Sequence, residues 1–280
     1  MSNIGYYNGK LGILEKMTVP MNDRACFFGD GIYESVLVDG DIARDLDAHI
    51  ERFYQGAETI KISMDYSKEE LKDILLSTAA HSDHETKLLY WQVTRGTAVR
   101  THTFPESKAN LWITVTKGQI PDMEKQLKLI TLPDTRYLHC NIKTLNLLPN
   151  VMAAEQAKAS GCDEAVFIRD GLITECSHSN IHMMKDHALF TAPADNRILP
   201  GIGRKNLIEV CQKLQIPVFE QHFTLQDLKN ADYVLITSTT KICQLAASID
   251  GLPIGQKKSS EIHCIQNLLW HHHSKMTDMI

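Results

Sequence analysis

The stretch Ile142-Lys143-Thr144-Leu145-Asn146-Leu147-Leu148-Pro149-Asn150 joins two kinds of structure. Ile142-Lys143 reads as the end of a short strand. Pro149 sits at the first turn of a helix that reaches Ser160, and Gly161 stops it. Lys143 lies between Ile142 and Leu145 and so has apolar neighbours on both sides. Such a lysine either runs along apolar surface to water or is held in a pocket. In a pocket its pKa falls and its amine becomes a nucleophile. The local sequence leaves both readings open.

Downstream, Glu164 to Arg169 reads as a strand, and Asp170-Gly171 turns it into Leu172-Ile173-Thr174-Glu175. Ile181–Met184 and Ala188–Thr191 read as further strands. A glycine-rich loop, Leu199-Pro200-Gly201-Ile202-Gly203, opens a helix from Arg204 to Leu214. Leu225–Leu228 is a short helix. The apolar strand Tyr233–Ile236 ends in Thr237-Ser238-Thr239-Thr240, and Asn267 to His273 is an amphipathic tail.

Upstream, Tyr6-Tyr7-Asn8-Gly9-Lys10 carries the signal of a tight hairpin. Pro20 to Arg24 reads as a loop, and Phe27 to Val38 as a glycine-marked entry into a strand. Leu46, Ile50, Phe53 and Ala57 share one face of a helix over 46–60. Ser67 and Glu70 form a capping box for a second helix that runs to about Ala80. Lys87–Arg95, Leu111–Thr116 and Lys128–Leu132 read as strands, with an irregular loop over 96–105. The polar segment Lys117–Asp122, with its Gly and Pro, reads as a linker.

The predicted fold class is α/β (α+β), with mixed, largely antiparallel sheets and flanking helices. The expected domains are a smaller one over 1–117, a linker over 118–125, and a larger one over 126–280 that carries Lys143.

The 280 residues, 43% of them hydrophobic and 22% charged, suit a soluble chain with a sizeable core. A formal net charge of −5 argues against a nucleic-acid partner. No apolar run reaches the roughly 18–20 residues that span a membrane, and Met1-Ser2-Asn3-Ile4-Gly5 is unlike a signal peptide. The seven cysteines are scattered and form no CxxC pair. They indicate neither a zinc site nor a disulfide framework, so a reduced, cytoplasmic home is expected.

Two segments resemble anion sites. At Leu199–Gly203, glycines let the backbone approach a ligand and a helix start offers free N–H groups. Thr237–Thr240 offers hydroxyls at the mouth of a strand. Either is also ordinary loop chemistry. No Gly-Lys-Ser/Thr or GxGxxG pattern is present, which disfavours nucleotide hydrolysis. Glu175, on a mostly apolar strand, needs a partner or a raised pKa unless it is an exposed strand end. Arg100 and His102, two apart on one loop, can grip a carboxylate or simply be solvated. His271-His272-His273 reads as a solvated helix end, and no metal is expected.

These residues also resemble a known family. Phe28-Gly29-Asp30-Gly31-Ile32-Tyr33-Glu34, His49-Ile50-Glu51-Arg52, Gln92–Thr97 with Arg100-Thr101-His102, Ile142–Asn146, and Thr174-Glu175 with Ser179-Asn180 match the fold-type IV pyridoxal-phosphate enzymes over nearly the whole chain. The Arg-x-His loop is similar to that of the D-amino acid aminotransferase branch. The resemblance implies transamination of D-amino acids, D-alanine and 2-oxoglutarate giving pyruvate and D-glutamate, with pyridoxal 5'-phosphate as cofactor.

It further implies that Lys143 carries the cofactor as an aldimine and moves the proton between Cα and C4′. Glu175 would face the pyridine nitrogen, with Asn180 beside it. Arg52, the N–H groups of Ile202 and Gly203, and the hydroxyls of Ser238 and Thr239 would hold the phosphate. Tyr33, Arg100 and His102 would trap the substrate carboxylate. Arg100 and His102 would come from the other subunit of a homodimer. A branched-chain L-amino acid aminotransferase and an aminodeoxychorismate lyase share the fold and remain alternatives. The chain departs from the family's pattern at Gly203, just before an Arg204 expected to face the phosphate, and at Ser35, Leu37 and His178. These departures bear on which substrate side chain is preferred.

Overall fold

The computed structural model describes residues 2–255 and 259–271. The chain forms two compact units, Met1–Ile120 with Ile142–Asn146, and Pro121–Asn141 with Leu147–Ile280. The break between Ile120 and Pro121 falls within the polar stretch 118–125. Among the described residues, no helix is long and apolar enough to cross a membrane.

The first unit is an antiparallel sheet of β1 (Ile4–Tyr7), β2 (Lys10–Ile13), β3 (Gly31–Asp39), β4 (Ile42–Ala43), β5 (Thr86–Thr94) and β6 (Asn110–Lys117), in the order β2-β1-β6-β5-β3-β4. Its helices are α1 (Arg24–Phe28), α2 (Leu46–Thr59) and α3 (Lys68–Ala80). Asn8 and Gly9 both take positive φ, 45° and 86°, as the tight β1–β2 turn requires. Side chains alternate across a strand. Ile32, Val36 and Val38 of β3 therefore join Leu89, Trp91 and Val93 of β5 in a core with Ile50 and Phe53 of α2. The same alternation puts Tyr33 of β3 and Tyr90 and Gln92 of β5 on the opposite face.

The segment with Lys143 differs from expectation. It forms no strand and clusters with the first unit rather than the second. The cause is backbone pairing with β3. Tyr33 N–H donates to the Lys143 carbonyl at 3.0 Å, Leu145 N–H donates to the Gly31 carbonyl at 3.1 Å, and Thr144 bridges Ile32. Gly31 makes this approach possible, because a Cβ there would lie 2.4 Å from the Val93 carbonyl oxygen and 2.8 Å from Leu145. A second difference is α1, which begins at the end of the expected loop 20–24 and takes up Phe27 and Phe28, expected as the entry into a strand. The Asp23 side chain caps it, and Gly29 ends it at φ 60°.

The second unit holds β7 (Leu127–Pro133), β8 (Glu164–Arg169), β9 (Leu172–Cys176), β10 (Asn180–Lys185), β11 (Ala188–Thr191), β12 (Val218–Glu220), β13 (Tyr233–Thr237), β14 (Gln244–Ile249) and β15 (Leu252–Pro253). Their order is β12-β11-β10-β13-β14-β7-β8-β9, with β15 on β14. The pairs β11–β12, β14–β7 and β7–β8 are parallel, and the others are antiparallel. The helices are α4 (Leu148–Ala159), α5 (Ile202–Lys213), α6 (Leu225–Lys229) and α7 (Ser260–Trp270). Pro149 lies in the first turn of α4. His271 follows α7, while His272 and His273 lie outside the described residues.

Candidate active site

The residues singled out in the sequence fall into two groups, one on each unit. On the first unit, Lys143 and Tyr33 are half-buried neighbours. The Lys143 amine lies 4.3 Å from the centroid of the Tyr33 ring, a cation–π approach. Tyr33 stacks on Tyr90 at 5.5 Å, and the Tyr90 hydroxyl donates to Gln92 at 2.7 Å. This side of the sheet thus presents the Lys143 amine above a stacked aromatic pair.

Arg52 of α2 meets Glu34 of β3, which is fully buried on the core side. Arg52 Nε donates to Glu34 Oε1 at 2.6 Å and Nη2 to Oε2 at 2.9 Å. His49, one helical turn earlier, bonds Oε2 at 2.7 Å. Burial alone would raise the Glu34 pKa, but the charge of Arg52 and the bonds from His49 and Arg52 outweigh it. They hold the carboxyl at about 2. Burial pushes His49 down in turn, against the pull of Glu34. A neutral His49 then donates from Nδ1. The guanidinium plane of Arg52 is fixed by this two-point contact.

Arg100 and His102 are exposed on the loop between β5 and β6. Both rest on Phe28 at the end of α1. The Arg100 guanidinium is 5.1 Å and the His102 ring 5.5 Å from its ring centroid. Arg24 lies over the same ring at 4.8 Å and donates to the Thr101 carbonyl at 2.7 Å, which ties the loop down.

On the second unit, Glu175 of β9 is buried and its oxygens are divided among three donors. Arg136 Nη1 donates to Oε1, while Asn180 Nδ2 at 3.1 Å and the Leu199 N–H at 3.0 Å donate to Oε2. Arg136 spends most of its fork elsewhere. Its Nε and Nη2 donate to Asp134 at 2.9 and 2.8 Å, and Arg169 also pairs with Asp134 at 3.0 Å. Burial therefore dominates at Glu175 and lifts its pKa to about 7, in spite of the charge and bond of Arg136. Asp134 goes the other way, because the bonds and charge of Arg136 outweigh its burial.

The two anion-like segments of this unit come together. No side chain caps α5, whose N-cap is Gly201. A Cβ on Gly201 would collide with Asn180 Oδ1 at 2.0 Å. One on Gly203 would lie 3.3 Å from Thr237 Cβ and 3.5 Å from Ser238 N, so the first turn of α5 packs on the start of the Thr237–Thr240 loop. Ile202 is buried, and Ser238 and Thr239 are half-buried. Arg204 corrects an expectation. Its buried guanidinium is directed at Thr191, the Ala192 carbonyl and Glu220, which draws it into the sheet edge rather than toward an anion. Behind the loop, His182 bridges Thr191 and Thr237, each at 2.9 Å. Burial, aided by Arg204, pushes its pKa to about 3, so it stays neutral. His178 is half exposed and lies 2.8 Å from Lys241, which pairs with the buried Glu164.

Sequence reading missed Asp134, Arg136, Arg169 and His182. An acidic and a basic residue two apart after a strand is the one trace of the Asp134–Arg136 pair. Nothing in the chain order links either to Glu175.

Residues 31–249 match the family model described as amino-transferase class IV. The D-alanine aminotransferase of Listeria monocytogenes (strain 10403S) is 39% identical over 261 residues, covering 91% of this chain and 90% of the relative. That of Bacillus licheniformis is 39% identical over 255 residues, 89% of each. That of Staphylococcus aureus (strain N315) is 36% identical over 261 residues, 92% of this chain and 93% of the relative. Among solved structures, the branched-chain aminotransferase of Thermoproteus uzoniensis superposes with a TM-score of 0.89 at 22% identity, over 97% of this chain and 94% of that one. The branched-chain enzyme of Escherichia coli gives 0.88 at 20%, over 98% and 95%. At such identities the two structures speak for the fold alone.

Proposed function

Because the chain belongs to the class IV aminotransferases, we propose that it transfers the amino group of D-amino acids to 2-oxo acids, D-alanine and 2-oxoglutarate giving pyruvate and D-glutamate, with pyridoxal 5'-phosphate as cofactor. The likeness to D-alanine aminotransferases at 36–39% identity supports the substrate class.

The observation that carries the reading is the state of Glu175. A buried carboxylate whose arginine is shared with Asp134 suits a second cationic N–H, such as a protonated pyridine nitrogen. The uncapped start of α5 beside Ser238 suits a phosphate. The residues present therefore fit pyridoxal phosphate.

When bound, pyridoxal phosphate supplies an aldehyde for amine exchange and a ring that takes up electrons. The chain does the rest. Lys143 would hold the cofactor, and its amine would move a proton at the substrate Cα. Glu175 would keep the ring nitrogen charged, with Asn180 orienting Glu175. Arg52, the N–H groups of Ile202 and Gly203, and the hydroxyls of Ser238 and Thr239 bind the phosphate. Tyr33, Arg100 and His102 bind the α-carboxylate and so choose the hand of the substrate. Arg100 and His102 act on the neighbouring copy in a homodimer. Their exposure on this chain supports that assignment.

Purified protein loaded with pyridoxal phosphate should be yellow, and borohydride should fix the cofactor to Lys143 alone. D-Alanine should bleach the yellow form while L-leucine leaves it unchanged. A protein that takes up no cofactor, or one that answers only to L-leucine, would overturn the reading. The shared site has its own test. Lys143→Ala and Arg100→Ala should each be inactive, yet mixed subunits should regain about a quarter of wild-type activity, because one site of each mixed dimer is intact.

A further inference from the structure

Glu175 does not stand alone. With Arg136, Asp134 and Arg169 behind it, it makes a row of four alternating charges within the second unit. Arg136 is also clamped over the Phe167 ring at 4.6 Å and donates to the Arg197 carbonyl at 3.1 Å. Thr174, beside Glu175, donates to Asp134 at 3.0 Å. Arg169 donates to the Arg136 carbonyl at 2.5 Å. The guanidinium therefore has one orientation, with one N–H on Glu175.

We propose that Arg136, steadied by Asp134 and Arg169, is a positioning residue that keeps the shared proton on the ring nitrogen of the cofactor rather than on Glu175. The inference rests on the reading above that pyridoxal phosphate binds with this nitrogen at Glu175.

The physical argument concerns one proton and two bases. A pyridine nitrogen and a buried carboxylate in contact hold a single proton between them. Its side is decided by whatever stabilises the carboxylate anion. Desolvation favours the neutral acid and has already lifted Glu175 to about 7. Arg136 is the charge that opposes it. The other groups around the carboxylate are Asp134, whose charge also favours the acid, Arg169, and the Cys140 thiol. Burial, opposed by Arg136, pushes Cys140 up to about 11, so it stays neutral. Without Arg136, the proton crosses to Glu175 and the ring loses the charge that makes it an electron sink. Arg169 acts at one remove. It shares the load of Asp134, and removing it lets Asp134 draw Arg136 away from Glu175.

The test uses the full-length enzyme loaded with pyridoxal phosphate carrying nitrogen-15 in the ring. The wild type should give a pyridinium resonance. Arg136→Gln should move it most of the way to neutral pyridine and slow the D-alanine half-reaction on the order of a hundredfold, with little change in KM. Arg136→Lys, which keeps the charge, should retain the pyridinium signal. Arg169→Gln should shift it part of the way, and this variant carries the test if Arg136→Gln does not fold. A resonance unmoved in Arg169→Gln and in every folded Arg136 variant overturns the proposal and leaves Arg136 a packing residue. Failure of the wild type to bind the cofactor at Lys143 is a separate outcome, seen first, and removes the functional reading with it.

Discussion

Glu34 and Glu175 are both buried glutamates, each bonded to an arginine, yet their carboxyls are driven in opposite directions. Glu34, in the first unit, sits at about 2, and Glu175, in the second, at about 7. Arg52 gives two arms of its fork to Glu34, and His49 adds a third bond. Arg136 gives Glu175 one arm and spends two nitrogens on Asp134. The difference teaches that a buried arginine–carboxylate contact has no fixed meaning. What matters is the balance of burial against every neighbouring charge and bond: Glu34 has two contacts from Arg52 and one from His49, while Glu175 has one from Arg136 and the opposing charge of Asp134. The two-point pair holds α2 to the sheet and orients Arg52. The divided pair leaves a carboxylate with capacity for another cation.

The largest effect is expected at the Glu34–Arg52 pair. Glu34→Gln leaves the half-buried Arg52 against a neutral amide inside the sheet–helix contact and should cost about 3 kcal/mol of stability in a denaturant melt. Since the folded value of Glu34 lies below its ordinary 4.5, its contribution is full above that pH. It is lost as pH falls toward about 2, so the variant should lack this part of the acid denaturation.

Glu175 has the opposite sign. Its folded value is raised, so the folded cofactor-free protein binds the proton more tightly than the unfolded chain. Stability should therefore drop by about 3 kcal/mol as pH rises from its ordinary 4.5 to about 7. Glu175→Gln should remove that slope and leave the cofactor-free protein at pH 8 no less stable than the wild type. If both glutamine variants shifted the melting curve alike at every pH, the contrast between the two pairs would be wrong.

A smaller change should convert one kind of pair into the other. Asp134→Asn releases two donors of Arg136 and should lower the Glu175 midpoint by about one pH unit, read from the carbon-13 resonance of its labelled carboxyl. The least effect belongs to His49→Gln. It removes one bond to Glu34 but leaves the Arg52 fork, so a loss of about 1 kcal/mol is expected with the acid limb of the melt retained.

Much of the local architecture could be read from the chain. The Asn8-Gly9 turn, the Ser67–Glu70 capping box, the apolar face of α2 and Pro149 at the start of α4 are all found in the structure. Each depends on residues within a few positions of one another. Elements without such signals were missed. The helix α1 is too short for a helical period, and β14, Gln244-Leu-Ala-Ala-Ser-Ile, mixes polar residues and alanines that favour no strand. The candidate site divides along the same line. Lys143, Glu175, Arg52 and the Arg100–His102 loop stand in motifs and could be named from the sequence. Arg136 and Asp134 could not, since Arg136 reaches its glutamate across 39 positions of chain.

The sequence by itself determined the family, the mixed α and β fold and the side chains proposed for the chemistry. Only the tertiary structure decided that Lys143 joins the first unit. That choice rests on backbone bonds to Gly31 and Tyr33 more than a hundred residues earlier. Only the tertiary structure decided, too, that Glu34 is a firm anion and Glu175 is not. The reason is physical. A carboxyl's ionisation is set by desolvation and by charges a few ångströms away, and those neighbours are assembled by the fold from distant parts of the chain.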